Sequence, residues 1–203
     1  MGDNIYIDKN AVVEEGAVIF PNNYIGAGSV IKSGAVLRPN NIIEGSIVER
    51  GAVVTASVLE GAHIGEGAQV GPFCYMRQGA NVGANCKAGD FVEIKNATLG
   101  DGSKASHLAY IGDVDIGKEC NVGCGVIFVN YDGRHKHRSS VGDRAFIGSN
   151  CNVIAPVNVG DDAYIAAGTT ITEDVPPAAL VIGRSRQIVK EGKAIGKFRL
   201  LLG

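Results

Sequence analysis

The sequence contains no tryptophan, and aromatic residues make up only 6% of its 203 residues. A globule packed around large rings is therefore not expected. Glycine, in contrast, occurs 29 times, which is about twice its usual share of roughly 7%. Since hydrophobic residues still reach 45%, this composition favours stacked thin layers of small and aliphatic side chains.

A strong charge of either sign is also missing. The formal net charge is −2, so no broad basic field attracts nucleic acid or an anionic membrane. No apolar run approaches the roughly 18 to 20 residues that span a bilayer. The N-terminal stretch, MGDNIYIDKN, is acidic and polar, unlike a signal peptide. We therefore expect a cytoplasmic protein that binds neither nucleic acid nor membrane.

The five cysteines form no C-x-x-C motif, and their odd number leaves at least one thiol unpaired. This usage is typical of free thiols in a reducing compartment and not of a zinc site. We expect no metal.

Small and aliphatic residues recur at a spacing of six. A helix would show a period of 3.6 and a simple strand a period of two. Short strands joined by tight corners explain the spacing, with one side chain per hexad directed inward and three hexads in each coil. The predicted inward positions are Val12, Val18, Val30, Val36, Ile42, Val48 and Val54 (with Tyr24 as an exception), Val58, Ile64, Val70, Met76, Val82, Ala88 and Ile94, Leu99, Ala105, Ile111, Ile116, Val122 and Phe128, and Val141, Ile147, Val153, Val159, Ile165 and Ile171.

The repeat is interrupted once and ends before the C-terminus. The polar stretch VNYDGRHKHRSSVG, at 129–142, fits no hexad, and PPAAL follows the last one. We predict an all-β domain over residues 1–176, with an inserted loop at 129–140. Residues 177–203 are predicted to form a basic arm with a short helix.

Counting residues per coil predicts which polar residues lie next to each other. Arg77 and Lys95 are eighteen residues apart, so they are predicted to lie on adjacent coils, about 4.8 Å apart. Two cations this close either hold a phosphate or carboxylate between them or splay into water, and the spacing leaves both readings open. His107 is predicted to face the glycine-flanked NVGCG turn at Cys124. Either a structural or a catalytic histidine fits that position.

The inserted loop carries His135 and His137, whose alternation could place both on one face of a strand. Two ligands are too few for a metal site, and three histidines spaced for a carbonic anhydrase of the same coil type are absent from the sequence. The loop also lacks the interleaved aromatics of a nucleic-acid patch. Since an insertion must leave the coil, we expect it to reach over a neighbouring subunit.

Three motifs carry a specific resemblance: FVEIK at 91–95, SHLAY at 106–110 and NYDG at 130–133. With the run from about Gly71 to Arg186, they resemble the acetyltransferase domain of the bifunctional N-acetylglucosamine-1-phosphate uridyltransferase/glucosamine-1-phosphate N-acetyltransferase family. The resemblance implies a left-handed parallel β-helix of hexapeptide repeats. It also implies transfer of acetyl from acetyl-CoA to glucosamine-1-phosphate, in a homotrimer.

The same resemblance implies a role for each matching position. His107 would be the general base, with Glu93 orienting or tuning it. The sugar phosphate would be bound by Arg77, Lys95 and Lys136, and the sugar by Tyr110 and Asn121. Contacts with acetyl-CoA are implied for Asn130, Tyr131, Ser149, Ala167 and Arg184, and for the backbone at Cys124 near the thioester.

Two rival functions share these features. One is a hexapeptide-repeat acyltransferase that acts on a different amino sugar or nucleotide sugar, and the other is a non-catalytic β-helix that only binds. Presence of the implied site residues argues against both. Because this chain begins directly with coils, the uridylyl step of the family is not expected of it.

Overall fold

The chain folds into stacked coils of very short parallel strands, described here for residues 4–193 by a computed structural model. The strands in chain order are β1 (Tyr6–Ile7), β2 (Val12–Val13), β3 (Val18–Ile19), β4 (Tyr24–Ile25), β5 (Val30–Ile31), β6 (Val36–Leu37), β7 (Ile42–Glu44), β8 (Ile47–Val48), β9 (Val53–Val54), β10 (Val58–Glu60), β11 (His63–Ile64), β12 (Gln69–Val70), β13 (Tyr75–Met76), β14 (Ala80–Val82), β15 (Lys87–Lys95), β16 (Ala97–Leu99), β17 (Lys104–Gly112), β18 (Val114–Ile116), β19 (Asn121–Val122), β20 (Ile127–Val129), β21 (Ser139–Val141), β22 (Phe146–Ile147), β23 (Asn152–Ile154), β24 (Asn158–Val159), β25 (Tyr164–Ile165), β26 (Thr170–Ile171) and β27 (Leu180–Val181).

The strands stack into three faces that run along the coil axis. The front face contains β1, β4, β7, β10, β13, the second halves of β15 and β17, β20, β23 and β26. The side face contains β3, β6, β9, β12, the first halves of β15 and β17, β19, β22, β25 and β27. The remaining nine strands form the rear face. This arrangement confirms the predicted all-β parallel β-helix.

Backbone hydrogen bonds set the register between coils, and the number of residues per coil varies slightly. Tyr6 pairs with Tyr24, eighteen residues later, whereas Glu93 pairs with Tyr110 after seventeen. Ile127 pairs with Asn152 only after twenty-five, because the inserted loop intervenes between β20 and β21. The loop therefore leaves the stack without disturbing the parallel pairing on either side of it.

Each face contributes two files of buried side chains to the core, two residues apart along the chain, as in Ala68 and Val70, so the prediction of one inward side chain per hexad is wrong. From Ile64 onward every position predicted from the hexads is buried, and Phe128 is the one aromatic core side chain within residues 4–193. The predicted phase is wrong for Val12 to Ile42 and for Val58, where the following residue points inward instead. Ile25, for example, is fully buried while Tyr24 is 40% exposed, which explains the apparent exception at Tyr24.

The corner between the side and front faces has a repeated left-handed backbone. Asparagine, which tolerates this conformation, occupies it at Asn22 and Asn40. Phe73, Phe91 and Leu108 occupy it in three successive coils, with φ of 60°, 58° and 29°. All three are more than half exposed, and the two phenylalanine rings stack at 5.6 Å. Three bulky apolar residues thus accept backbone strain while facing outward.

Paired strands extend slightly beyond the predicted boundary at residue 176. Leu180 of β27 pairs with Tyr164 of β25, so the side face reaches Val181. The described part of the arm after Val181 contains no strand, with a turn at 191–193, and residues 194–203 of the predicted arm lie outside the described residues. Residues 4–193 include no helix of the length and apolarity that a bilayer crossing requires.

Replacing Phe128 with alanine should test the core directly. Phe128 is 1% exposed, so Phe128→Ala removes a full ring from the coil that carries the loop and should cost about 3–5 kcal/mol in the free energy of unfolding. Guanidinium unfolding followed by circular dichroism, at one fixed protein concentration, measures it. Phe20→Ala is the control because Phe20 is 44% exposed. Equal losses in the two variants would contradict the assigned core.

Candidate active site

Five predicted or newly found site residues occupy the same corner position in successive coils. We call Asp90, His107, Cys124, Ser149 and Ala167 the corner column. Asp90 is in register with His107, and the next coils follow through backbone bonds from Gly125 to Leu108 (2.6 Å), from Asn150 to Cys124 (2.8 Å) and from Gly168 to Ser149 (2.9 Å). The predicted adjacency of His107 and the NVGCG turn is confirmed.

Arg184 reaches the far end of this column. A β-carbon on Gly168 would lie 3.7 Å from Cδ of Arg184, so the arginine side chain passes beside the Ala167 corner. A histidine, an exposed backbone turn and a cation are therefore aligned along the coil axis. At about 4.8 Å per coil, Ala167 lies about 14 Å from His107.

The carboxylate that contacts His107 is Asp90. Asp90 Oδ1 lies 2.6 Å from Nδ1 of His107, and the side chains are 39% and 60% exposed. The hydrogen bond from His107 is the main reason that the pKa of Asp90 lies below its ordinary value, so Asp90 is ionised at neutral pH. Glu93 instead places Oε1 2.8 Å from Nη1 of Arg77. The role predicted for Glu93 stays a prediction.

The front face presents the predicted cations, but in a different grouping. The backbone N–H of Arg77 donates to the carbonyl oxygen of Ile94, which places Arg77 beside Lys95, as the eighteen-residue spacing predicts. Its guanidinium is engaged by Glu93 and lies 5.5 Å from the centre of the Tyr75 ring. The repulsion between Arg77 and Lys95 is thus relieved by a carboxylate of the chain itself.

Lys95 has a second cationic neighbour, Lys136 of the inserted loop. The pKa of Lys136 is lowered chiefly by Lys95, whose amine lies nearby and carries the same charge. Within residues 4–193, no carboxylate lies within 4.0 Å of either ammonium group. Two ammonium groups placed near each other are suited to a shared anion.

A buried carboxylate lies beneath this pair. Asp113 is 7% exposed and accepts hydrogen bonds from Nδ2 of Asn96 (2.6 Å) and from Nδ2 of Asn130. Burial by itself raises the pKa of Asp113, but these bonds and the charges of Lys95 and Lys136 bring it below its ordinary value. Asp113 therefore stays ionised, holds the loop through Asn130, and is attracted by the charges of Lys95 and Lys136.

Tyr110 connects the cations to the corner. Its hydroxyl lies 3.3 Å from Nδ2 of Asn130, and the ring covers Gly112, where a β-carbon would come within 2.6 Å of the hydroxyl. An open, mainly apolar cavity of about 290 Å³ lies beside it, lined by Phe91, Glu93, Leu108, Tyr110, Gly125 and Ile127. The cavity joins the His107 corner to the front face.

The inserted loop is ordered by its own hydrogen bonds. Tyr131 and Lys136 form an antiparallel bridge, and Asp132 accepts the backbone N–H groups of Arg134 and His135 at 2.7 Å. These bonds, with that from His135 first, bring the pKa of Asp132 to about 2. His137 also contacts Asp132, at 2.7 Å from Nε2. Tyr131 is 55% exposed.

Asn121 is not brought to Tyr110 within one chain. It belongs to the side face, in register with Lys104 and Phe146, whereas Tyr110 belongs to the front face. A site that uses both residues therefore requires the side face of another molecule.

Two residues of this arrangement, Asp90 and Asp113, were not found by sequence reasoning. A seventeen-residue count back from His107 would have found Asp90, whereas only the fold reveals the burial of Asp113. All five cysteines are free thiols, and Cys124 is the exposed one. Among residues 4–193, no three His, Cys, Asp or Glu side chains are grouped closely enough to hold a metal ion.

Comparison with known proteins identifies relatives of this chain by sequence and by fold. Residues 139–173 match the family model described as the hexapeptide repeat of succinyl-transferase. Two UDP-N-acetylglucosamine acyltransferase structures share the fold with a TM-score of 0.51 each. One, from Francisella novicida, is 21% identical and covers 87% of this chain and 66% of its own; the other is 17% identical and covers 90% and 70%.

Curated relatives are much closer in sequence. Bifunctional protein GlmU of Clostridium acetobutylicum is 47% identical over 94% of this chain, and that of an Exiguobacterium species is 53% identical over 92%. The chain spans about 42% of the length of these relatives. It therefore belongs to the hexapeptide-repeat acyltransferase family and is homologous to the C-terminal acetyltransferase β-helix domain of the bifunctional GlmU proteins.

Proposed function

We propose that this protein transfers the acetyl group of acetyl-CoA to the 2-amino group of glucosamine-1-phosphate. The product, N-acetylglucosamine-1-phosphate, would supply UDP-N-acetylglucosamine for cell-wall precursor synthesis. The observation that carries the proposal is a cavity beside Tyr110 that opens between the corner next to His107 and the front face, where Lys95 and Lys136 lie near each other. A base for an amine and a double cation for a phosphate are the two groups that this acceptor requires.

His107 acts as the general base. As the amino nitrogen attacks the acetyl carbonyl, its proton passes to the ring nitrogen of His107 that faces away from Asp90. The C–S bond then breaks, and because a thiolate is a good leaving group, a strong general acid is not needed. A positioned base of this type typically contributes ~10²- to 10⁴-fold to the rate.

The acceptor lies on the front face. Its phosphate bridges Lys95 and Lys136, and Tyr110 and Asn130 contact the sugar ring beside the cavity. Arg77 supports this face through Glu93 and stays within reach of a phosphate at Lys95. The negative charge of Asp113 offsets part of the repulsion between the two cations before the acceptor binds.

Acetyl-CoA follows the corner column. The exposed turn at Cys124 lies next to His107 and would offer backbone N–H groups to the thioester oxygen. Ser149 and Ala167 continue the column, and Arg184 supplies a cation for the phosphates at its far end. The alignment over about 14 Å suits an extended donor that lies parallel to the coil axis.

The proposed assembly is a homotrimer in which the side face of one copy covers the front face of its neighbour. Two observations support it. Phe73, Phe91 and Leu108 form an exposed apolar ladder beside the site, and such a ladder is suited to burial. Asn121 is separated from Tyr110 within one chain, and a second copy would supply it.

Acceptor specificity provides the first test. Release of free CoA thiol should be rapid with glucosamine-1-phosphate and weak with glucosamine or glucosamine-6-phosphate. His107→Ala should lower kcat by ~10²- to 10⁴-fold because the base is lost. His63→Ala is the matched control, since His63 lies on the rear face against Glu49 and Asn81. A folded protein without turnover on any of the three acceptors would overturn the proposal.

Loss of one cation should act on acceptor binding. Lys136→Ala should raise the KM for glucosamine-1-phosphate by about 10- to 100-fold, which corresponds to one charge-assisted hydrogen bond. The KM for acetyl-CoA should change little. Lys118→Ala serves as the control because Lys118 lies at another corner, 3.6 Å from Asp101. Steady-state kinetics measure both constants, and an unchanged acceptor KM in Lys136→Ala would place the phosphate elsewhere.

A further inference from the structure

The hydrogen bond between Asp90 and His107 fixes how the imidazole is protonated. An ionised carboxylate can only accept, so the 2.6 Å contact requires that Nδ1 of His107 carries the proton. In a neutral ring, Nε2 then has a free lone pair. A free imidazole that lacks such a partner is not held in this tautomer or orientation.

The fold holds Asp90 in place independently of any ligand. Asp90 and His107 are paired residues of β15 and β17, whose nine-residue strands run through the corner without a break. Gly89 precedes Asp90, and a β-carbon there would overlap the carbonyl oxygen of Ser106. The two corners are therefore in direct backbone contact, which fixes the separation of the backbone positions that carry the carboxylate and the imidazole.

Few other charged or titratable groups face the pair. Lys87 acts on Asp90 from the same strand, the Cys74 thiol lies on the preceding coil, and Cys124 lies on the following coil. Glu93 lies farther along β15 and is engaged by Arg77. Asp90 is thus the carboxylate that the structure provides to His107.

We propose that Asp90 is the positioning residue of the acetyl transfer: it holds His107 as the Nδ1–H tautomer, with Nε2 free to accept the proton of the acceptor amine, and it stabilises the imidazolium that forms. The inference rests on the proposed function. The proton leaves the amine nitrogen and bonds to Nε2 while Nδ1–H remains hydrogen-bonded to Asp90. Asp90 stays ionised throughout, and the Nε2 proton is later released to the thiolate or to water.

Kinetics distinguish this role from a purely structural one. Asp90→Asn should lower kcat by about 10- to 100-fold, less than the loss of a buried partner in a protease triad because this pair is partly exposed. The KM values for both substrates should change little. Removing the negative charge disfavours the imidazolium, so the acidic limb of the kcat/KM profile should move to lower pH. Asp90→Glu, which keeps the carboxylate, should recover part of the rate.

A surface aspartate provides the matched control. Asp162→Asn makes the same chemical change in a carboxylate that pairs with Arg144, 2.8 Å away and outside the site. It should leave kcat and the pH profile as in the unaltered protein. If Asp90→Asn and Asp162→Asn behave alike, the proposed role of Asp90 is refuted.

A readout without substrate separates this inference from the proposed function. The chain has four histidines, so ¹⁵N NMR of their ring nitrogens is tractable, and His107→Asn identifies the signals of His107. Above the titration range, His107 should be the Nδ1–H tautomer in the unaltered protein and should lose this preference in Asp90→Asn.

Failure of the proposed function and failure of the inference about Asp90 give different experimental results. If the unaltered protein acetylates no amino sugar but His107 shows the Asp90-dependent tautomer, the proposed function is wrong and the pairing holds. If the protein is active but His107 is the Nε2–H tautomer, or Asp90→Asn leaves the tautomer unchanged, the inference about Asp90 is wrong and the proposed function stands.

Discussion

The hydrogen-bonded stacking of parallel coils is the constraint on which the rest of the structure depends. Each coil repeats the backbone path of the one before it, so residues at the same coil position form columns with a spacing of about 4.8 Å. The corner column exists only because Asp90, His107 and Cys124 keep this register over three coils. An error of one residue would turn His107 away from Asp90 and toward another face. Precision at the site therefore comes from strand pairing and not from a closely packed pocket.

On the front face the same stacking places like charges next to each other, which would be unfavourable if no carboxylates compensated them. Arg77 and Lys95 are neighbours, and Lys136 adds a third cation from the loop. Glu93 takes up the charge of Arg77, and buried Asp113 acts on the other two from below. The ammonium groups of Lys95 and Lys136 leave a region of positive potential that is open to solvent. In the proposed reaction the acceptor phosphate binds there. The insertion is thus the means by which a repetitive fold acquires a site that its own hexads do not contain.

The sequence predicted the features that depend on spacing and missed those that depend on local coil length. The six-residue repeat, the neighbouring positions of Arg77 and Lys95, and the contact of His107 with the NVGCG turn all follow from counting. The phase was wrong in the first coils because pairs such as Val30–Ile31 are aliphatic at both positions, so polarity does not reveal which side chain points inward. Asp90 was missed because its coil has seventeen residues, and an eighteen-residue count from His107 ends on Gly89. The burial of Asp113 depends on how the loop folds back, which no repeat predicts.

The central claim is that acetyl transfer occurs at sites shared between two copies of the chain, and subunit mixing tests it most directly. Differently tagged His107→Ala and Asn121→Ala chains would be co-expressed, and assemblies that contain both would be purified. If each site uses His107 of one copy and Asn121 of the next, a mixed trimer regains one native site in three by symmetry. Its rate of thiol release should then be about one third of that of the unaltered protein, far above either variant alone. If the mixed assemblies are no more active than the parent variants, His107 and Asn121 do not meet across an interface, and the account of a shared site is contradicted.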